Sequence, residues 1–163
     1  MMISEKMNQA LNRQVTNEFG ASHTYLAMAC TFHETGLKVF AKRFFQQAEE
    51  ERQHALKIMK YIEDVGGKIT LDGVAKPENA GKSAVAIIEA AVQAERNVTA
   101  QVNELVALSE TEKDYATRSF LQWFVNEQVE EVSSMLDLLQ LVTMAGEKNL
   151  LYVESRLAQM MQG

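Results

Sequence analysis

The stretch Gln47-Ala48-Glu49-Glu50-Glu51-Arg52-Gln53-His54 interrupts an apolar stripe on a helical segment. Before it the stripe reads Phe40, Phe44, Gln47, and after it Ile58, Tyr61, Val65, at the three- and four-residue spacing of one helix face. Glu51 and His54 stand where core side chains belong. Glu51-x-x-His54 puts two ligand-capable groups about 60° apart on that face. Alone, such a pair ordinarily marks a solvated face, and Glu49-Glu50-Glu51-Arg52 has the composition of a charged surface. The other helices decide between the two readings.

Working outward, the chain reads as four long helical segments and a short one. The first runs from about Ser4 to His33 and is closed by Gly36. The second runs from about Lys38 to Val65 and is ended by Gly66-Gly67. Residues 66–81 hold four Gly and the only Pro, Pro77, and read as a long connection. The third helix spans about Lys82 to Ser109. Thr111-x-x-Asp114 reads as a capping-box-like start, before a fourth helix from about Lys113 to Ala145 that Gly146 ends. The fifth covers about Lys148 to Met161. Short links make helices one and two, and three and four, antiparallel neighbours. A connection of ~16 residues reaches ~55 Å when extended, and a 28-residue helix is ~42 Å long. The connection can run the length of the bundle and make helices two and three parallel. A lateral crossing at one end would not need so many residues. Four helices with one long crossover form an all-α bundle.

Each long helix repeats the interruption. Helix one carries Met7, Leu11, Val15, then Ser22, Tyr25, Ala29, with Glu18 in the gap. Helix three carries Val85, Ile88, Val92, then Val98 (or Thr99), Val102, Leu105, with Glu95 in the gap. Helix four carries Leu121, Phe124, then Met135, Leu138, Val142, with Gln128 and Glu131 between. Glu18, Glu51 and Glu95 lie within about one residue of their helix midpoints, and Glu131 about two beyond its own. Packed side by side, the four carboxylates arrive at one level. An unpaired buried carboxylate costs several kcal/mol or is forced neutral. No Lys or Arg occupies an interrupted stripe position, so metal cations are the indicated partner. Carboxylates with one or two His suit iron, manganese or zinc.

Size and charge agree. One domain of 163 residues can bury a sizeable core. A formal net charge of −6 argues against a nucleic-acid partner and fits a protein that attracts cations. The start Met-Met-Ile-Ser-Glu-Lys lacks a signal-peptide pattern, and no apolar run approaches the ~20 residues of a membrane span. The expected compartment is the cytoplasm. The single cysteine, Cys30, makes no intrachain disulfide and is expected to be a buried small hydrophobe within Leu26-Ala27-Met28-Ala29-Cys30.

At these residues the chain resembles the bacterial-type non-haem ferritins. The resemblance covers essentially the whole chain and is carried by Gln47 to His54 and by Phe120-Leu121-Gln122-Trp123-Phe124-Val125-Asn126-Glu127-Gln128. Glu18 and Glu95 match by position. The resemblance implies a ferritin-like four-helix bundle with one long crossover and a short fifth C-terminal helix, residues 1–163 forming a single di-iron domain. It implies that Glu18, Glu51 and His54 hold one iron. Glu51 would bridge to a second iron held by Glu95 and Glu131, with Gln128 bordering the pair. It also implies a third iron site at Glu50, Glu127 and Glu130, with Glu131 shared. Those three lie one position, ~100°, off the stripe, and a solvated flank is the competing reading. Tyr25 matches a family position, where it would hydrogen-bond a ligand or donate an electron; plain core packing competes. Trp123 reads as structural, and His23 and His33 as non-ligands. The implied activity is a ferroxidase: Fe2+ is oxidised by dioxygen, and ferric mineral is stored in a homo-oligomeric hollow shell of 24 subunits.

Related chemistries fit less well. Haem-binding bacterioferritins carry Met directly after the Glu of Glu-x-x-His, where this chain has Arg52, and His where it has Glu131; no haem is expected. A rubrerythrin-like peroxidase needs four cysteines for its iron domain. Mini-ferritins that protect DNA build their site between subunits. A metal-free helical interaction protein leaves the buried carboxylates unexplained. Animal ferritins line their three-fold pores with acidic residues early in helix four, where this chain has Arg118 and Leu121.

Overall fold

A computed structural model describes residues 1–163. Its elements are α1 (Glu5–Glu34), α2 (Lys38–Asp64), α3 (Ala84–Thr111), α4 (Tyr115–Ala145) and α5 (Leu150–Met161), with a single 3-10 turn at Glu147–Asn149 before α5. There are no strands. The all-α bundle with one long crossover and a short fifth helix is the one expected, and most boundaries shift by one or two residues. The fourth helix differs in its start. Thr111 is the last residue of α3, Lys113 turns through a positive φ of 54°, and Asp114 is the cap, accepting the Thr117 amide at 3.0 Å. The short Asp side chain satisfies an otherwise orphaned first-turn N–H. Ser4 and Ser83 cap α1 and α3 in the same way.

The N-terminus of α2 has no such residue, because Leu37 occupies its cap position. The carboxylate of Glu154 on α5 accepts the amides of Val39 and Phe40 at 2.7 and 2.9 Å instead. Glu147 reaches the first amides of α3 at 3.1 and 3.4 Å. A carboxylate at a helix N-terminus also meets the positive end of the helix dipole. The C-terminal segment thus seals two helix starts at one end of the bundle.

The direction of α3 follows from where the crossover is tied. Asn8 and Asn12 of α1 donate to the Lys68 carbonyl at 3.2 and 2.8 Å and accept the amides of Lys68 and Thr70 at 3.0 and 2.6 Å. Val74 passes Gly20 midway along α1, and residues 77–82 share a groove with Ala27, Met28, Thr31 and Glu34 near its far end. The crossover runs the bundle's length, so α2 and α3 are parallel. Ser4 Oγ donates to Glu112 at 2.7 Å, which places the end of α3 beside the start of α1. Gly67 lies so close to Asn8 and Ile62 that an added Cβ would overlap both.

The core is two apolar bodies. One gathers Met7, Leu11, Val15, Ala55, Ile58, Ile62, Val98, Val102, Leu121 and Phe124. The other gathers Tyr25, Phe32, Phe40, Phe44, Ile88, Val92, Met135, Leu138 and, from α5, Leu150, Val153 and Leu157. Between them every long helix changes to polar residues. Burying one large apolar side chain contributes ~1.5–3 kcal/mol, so the two bodies together can hold a costly polar layer in place. The stripes are broadly as read. Ser22, Tyr61 and Val85 are only half-buried, and Ile62 and Ile87 take core positions beside the latter two. Cys30 is exposed, which corrects the expectation of burial. It lies one residue, ~100°, past Ala29, so Ala29 turns into the core and Cys30 out of it. No helix is long and apolar enough to cross a membrane.

Truncating Glu154 to Ala removes two charge-assisted caps from a nine-tenths-buried position and should cost about 1–2 kcal/mol. Glu147→Ala, at an exposed site, should cost under about 1 kcal/mol. Denaturant unfolding of both variants checks the order; equal effects would remove the capping role assigned to Glu154.

Candidate metal centre

The layer between the two apolar bodies holds Glu18, Glu51, His54, Glu95, Gln128 and Glu131, all buried. Glu18 and Glu51 are fully enclosed and Glu95 is 1% exposed. Ligand atoms from these helices converge in three overlapping groups, each with its donors within 4.8 Å of one another: Glu18, Glu51, His54; Glu51, Glu95, Glu131; and His54, Glu127, Glu131. Glu51 belongs to the first two, as a bridging carboxylate would. Each long helix contributes at least one donor, which is what matched heights along four stripes require.

His54 Nδ1 lies 3.3 Å from Glu51 Oε2 and 3.7 Å from Glu18 Oε2. Where these carboxylates are ionised they only accept, and Nδ1 is then the donor. Glu18 Oε1 accepts from Gln14 at 2.8 Å, while Glu18 Oε2 is buried with no hydrogen-bond partner. Gln47 donates to Glu51 Oε1 at 2.9 Å and to Glu131 Oε2 at 2.8 Å. Gln128 donates to the Glu95 carboxylate at 3.1 Å and touches Thr99 Oγ1 at 3.3 Å. Tyr25 donates a short hydrogen bond to Glu95 Oε1, and its ring packs 5.7 Å from Phe44. The Tyr25 ring is core and its hydroxyl faces a candidate ligand. The His54 ring meets Trp123 edge-on at 5.4 Å, and Lys57 Nζ sits 4.1 Å from the other ring system's centre.

Protons stand in this layer where positive charge is needed. Burial, with the charges of Glu95 and Glu51, pushes Glu131 up to about 8. Burial and Glu51 push Glu95 up to about 7. Burial raises Glu51, partly offset by its hydrogen bond to His54. For His54, burial lowers the imidazole, but the neighbouring carboxylates of Glu18 and Glu51 outweigh it and carry it to about 10. Burial and Glu95 raise the Tyr25 phenol.

The flanking acids divide. Glu127 is half-buried and within the group of His54 and Glu131, whereas Glu50 and Glu130 are exposed and outside all three groups. His23 and His33 are exposed and away from the layer. Leu121 is core, 1% exposed; Arg118 is on the surface, paired with Glu110 at 2.9 Å. The sequence reading assigned no role to Gln14 and left Gln47 as a stripe member. Both precede a buried Glu by four residues on the same helix face, and that spacing was the available signal.

The geometry agrees with what the chain is similar to. The family model described as Ferritin-like domain matches residues 8–145. The chain belongs to the ferritin family. It is 38% identical over 153 residues to a bacterial non-heme ferritin of Staphylococcus epidermidis, covering 93% of this chain and 92% of that one. It is 37% identical over the same span to a bacterial non-heme ferritin of Staphylococcus aureus. Among solved structures, an open pore ferritin from the hyperthermophilic archaeon Archaeoglobus fulgidus superposes with a TM-score of 0.92 at 41% identity, covering 95% of this chain and 97% of that one. As a ferritin, its function is iron storage.

The proton-filled layer makes this ferritin's metal-free state pH-sensitive. Glu131 keeps its proton when folded up to about 8, against 4.5 ordinarily, and Glu95 up to about 7. Their contribution to stability is therefore present below about 4.5 and lost as pH rises through 7 and 8. That of His54 is present below 6.5 and lost towards about 10. The melting temperature of the metal-free protein should fall from about pH 5 to pH 8, and less steeply in Glu131→Gln. Melts across pH without metal test this; a flat or rising profile contradicts it.

Proposed function

We propose that residues 1–163 act as one ferritin unit that oxidises Fe2+ with dioxygen at a pair of metal positions in the bundle's waist. The observation that carries this reading is the overlap of the three donor groups around Glu51, His54 and Glu131, with Glu18 Oε2 buried and unpartnered beside them. A buried carboxylate oxygen without a donor is costly, and a cation between the groups removes that cost.

In this reading Fe2+ is the substrate. One ion is taken by Glu18, Glu51 and His54, and a second by Glu51, Glu95 and Glu131. Each of two Fe2+ gives one electron, and dioxygen takes both with two protons, leaving two Fe3+ and hydrogen peroxide. Anionic oxygen donors stabilise the higher charge of Fe3+ more than Fe2+, so they favour the oxidised product. The protons held by Glu95, Glu131 and His54 leave when metal enters, since ligands bind deprotonated. Gln128 holds the Glu95 carboxylate and borders the pair. In this reading Tyr25, bonded to the same carboxylate, holds a ligand in position or supplies an electron. Glu127, next to His54 and Glu131, with Glu50 and Glu130 on the flank, forms a third iron position beside the pair.

The oxidised iron passes into a shell of 24 copies of this chain in the cytoplasm. The relation to ferritins supports the shell. So do the apolar side chains Leu151, Tyr152 and Met160, which α5 leaves exposed.

Adding Fe2+ without oxygen and then admitting oxygen should give rapid growth of ferric absorbance. Glu51→Ala and His54→Ala should slow it by at least about 100-fold, at or beyond the ~10–100-fold usual for losing an outer-shell partner. Unchanged rates in both variants would discard the site. Size-exclusion chromatography should show a large shell; a monomer or dimer would discard the storage assembly while leaving the metal chemistry open to its own test.

A further inference from the structure

Gln47 is fully buried, and all of its side-chain polar atoms are used. Its amide nitrogen sits 2.9 Å from Glu51 Oε1 on α2 and 2.8 Å from Glu131 Oε2 on α4. An amide has two N–H protons, so each carboxylate receives one. Its oxygen accepts from Arg43 Nη1 at 2.8 Å, and Arg43 Nη2 extends 3.4 Å to Ser134 on α4. Arg43 touches neither carboxylate. The Arg43 guanidinium only donates, so the amide oxygen must face it and the NH2 must face the two carboxylates. Turned over, the amide would set its NH2 against a cation and leave both carboxylates without its N–H donors.

Gln14 gives a contrast. It donates to Glu18 at 2.8 Å, but its other contacts are the Gln101 and Asn17 side-chain amides, both at 3.3 Å, and it reaches no second carboxylate. Gln47 is the side chain that donates to two candidate metal-binding carboxylates on different helices.

We propose that Gln47, oriented by Arg43, is a positioning residue that sets the separation and rotation of Glu51 and Glu131, and so selectively shapes the metal position formed by Glu51, Glu95 and Glu131. The proposal rests on the paired-metal reading. The other position is less dependent on Gln47, because Gln14 holds Glu18, and Glu51 Oε2 faces His54. Gln47 touches no iron in this scheme and acts through the two carboxylates. The chain Arg43–Gln47–Glu131 also joins α2 to α4 across the waist, with Ser134 as its second anchor.

The test uses Zn2+, which binds such donors without redox chemistry, titrated calorimetrically into metal-free full-length protein. Two backgrounds separate the positions: His54→Ala keeps the Glu51, Glu95, Glu131 group whole, and Glu95→Ala keeps the Glu18, Glu51, His54 group whole. Gln47→Met preserves side-chain length and removes the N–H donors. It should weaken Zn2+ binding about 10-fold or more in the His54→Ala background, and no more than about 3-fold in the Glu95→Ala background. Arg43→Met should shift binding in the same direction by a smaller factor, and Arg43→Lys should restore it. Should Gln47→Met fail to fold, the Arg43 pair carries the test. Equal weakening in both backgrounds, or none in either, overturns the positioning role while leaving the paired-metal site standing. If the wild-type protein takes up no Zn2+, the paired site falls and the positioning role falls with it.

Discussion

Four carboxylates buried at one level are the constraint around which this molecule is arranged. A helical bundle gains stability from continuous apolar stripes, and here every stripe is cut at its middle. The core becomes two apolar bodies with a polar plate between them. Without metal, that plate is held by hydrogen bonds from glutamines and by protons on groups that would ordinarily have released them. The same low-dielectric surroundings that make crowded buried carboxylates costly favour cations among them. Storage of iron by a ferritin begins with that imbalance.

Much of the plate was legible because its physics is periodic. Glu18, Glu51, Glu95 and Glu131 each replace a residue whose position the surrounding stripe dictates, and counting from helix ends gives their common height. The parallel course of α2 and α3 was legible from length alone, since a crossover of that reach fits a bundle's span. What periodicity cannot report is a partner distant in sequence. Glu154 reads as an ordinary polar residue of an amphipathic helix, and only the packed structure brings it to the start of α2. Gln47 was visible as part of a stripe, but its role depends on Glu131 and Arg43, one on another helix and one a turn away. Cys30 shows a narrower weakness. An apolar run suggests burial for all its members, yet a helix turns ~100° per residue, and a run of five must send some outward. The same rotation separates the flank acids: Glu127 reaches the plate, while Glu50 and Glu130 turn to the surface.

The hydrogen bonds around the plate fall into two kinds. Gln14, Gln128 and Tyr25 each steady one carboxylate from outside. Gln47 ties two together. The first kind tunes a single donor, and the second fixes a distance between donors. A pair of metal positions needs both, because a metal's preferred bond lengths set how far apart its ligands stand. Buried amides suit this work because they carry no charge of their own and so add nothing to a layer already crowded with it.

The capping of α2 by Glu154 ties the order of synthesis to the order of assembly. Lys38 to Asp64 leave the ribosome long before residue 154 does, so the first amides of α2 have no side-chain partner through most of the chain's production. The apolar half of the core that includes Leu150, Val153 and Leu157 is likewise incomplete until then. The nascent protein can pair α1 with α2 early, but that end of the bundle closes only when α5 is made. A chain that stops short leaves the ribosome with an open end, and quality control can recognise it by the apolar surface still showing there.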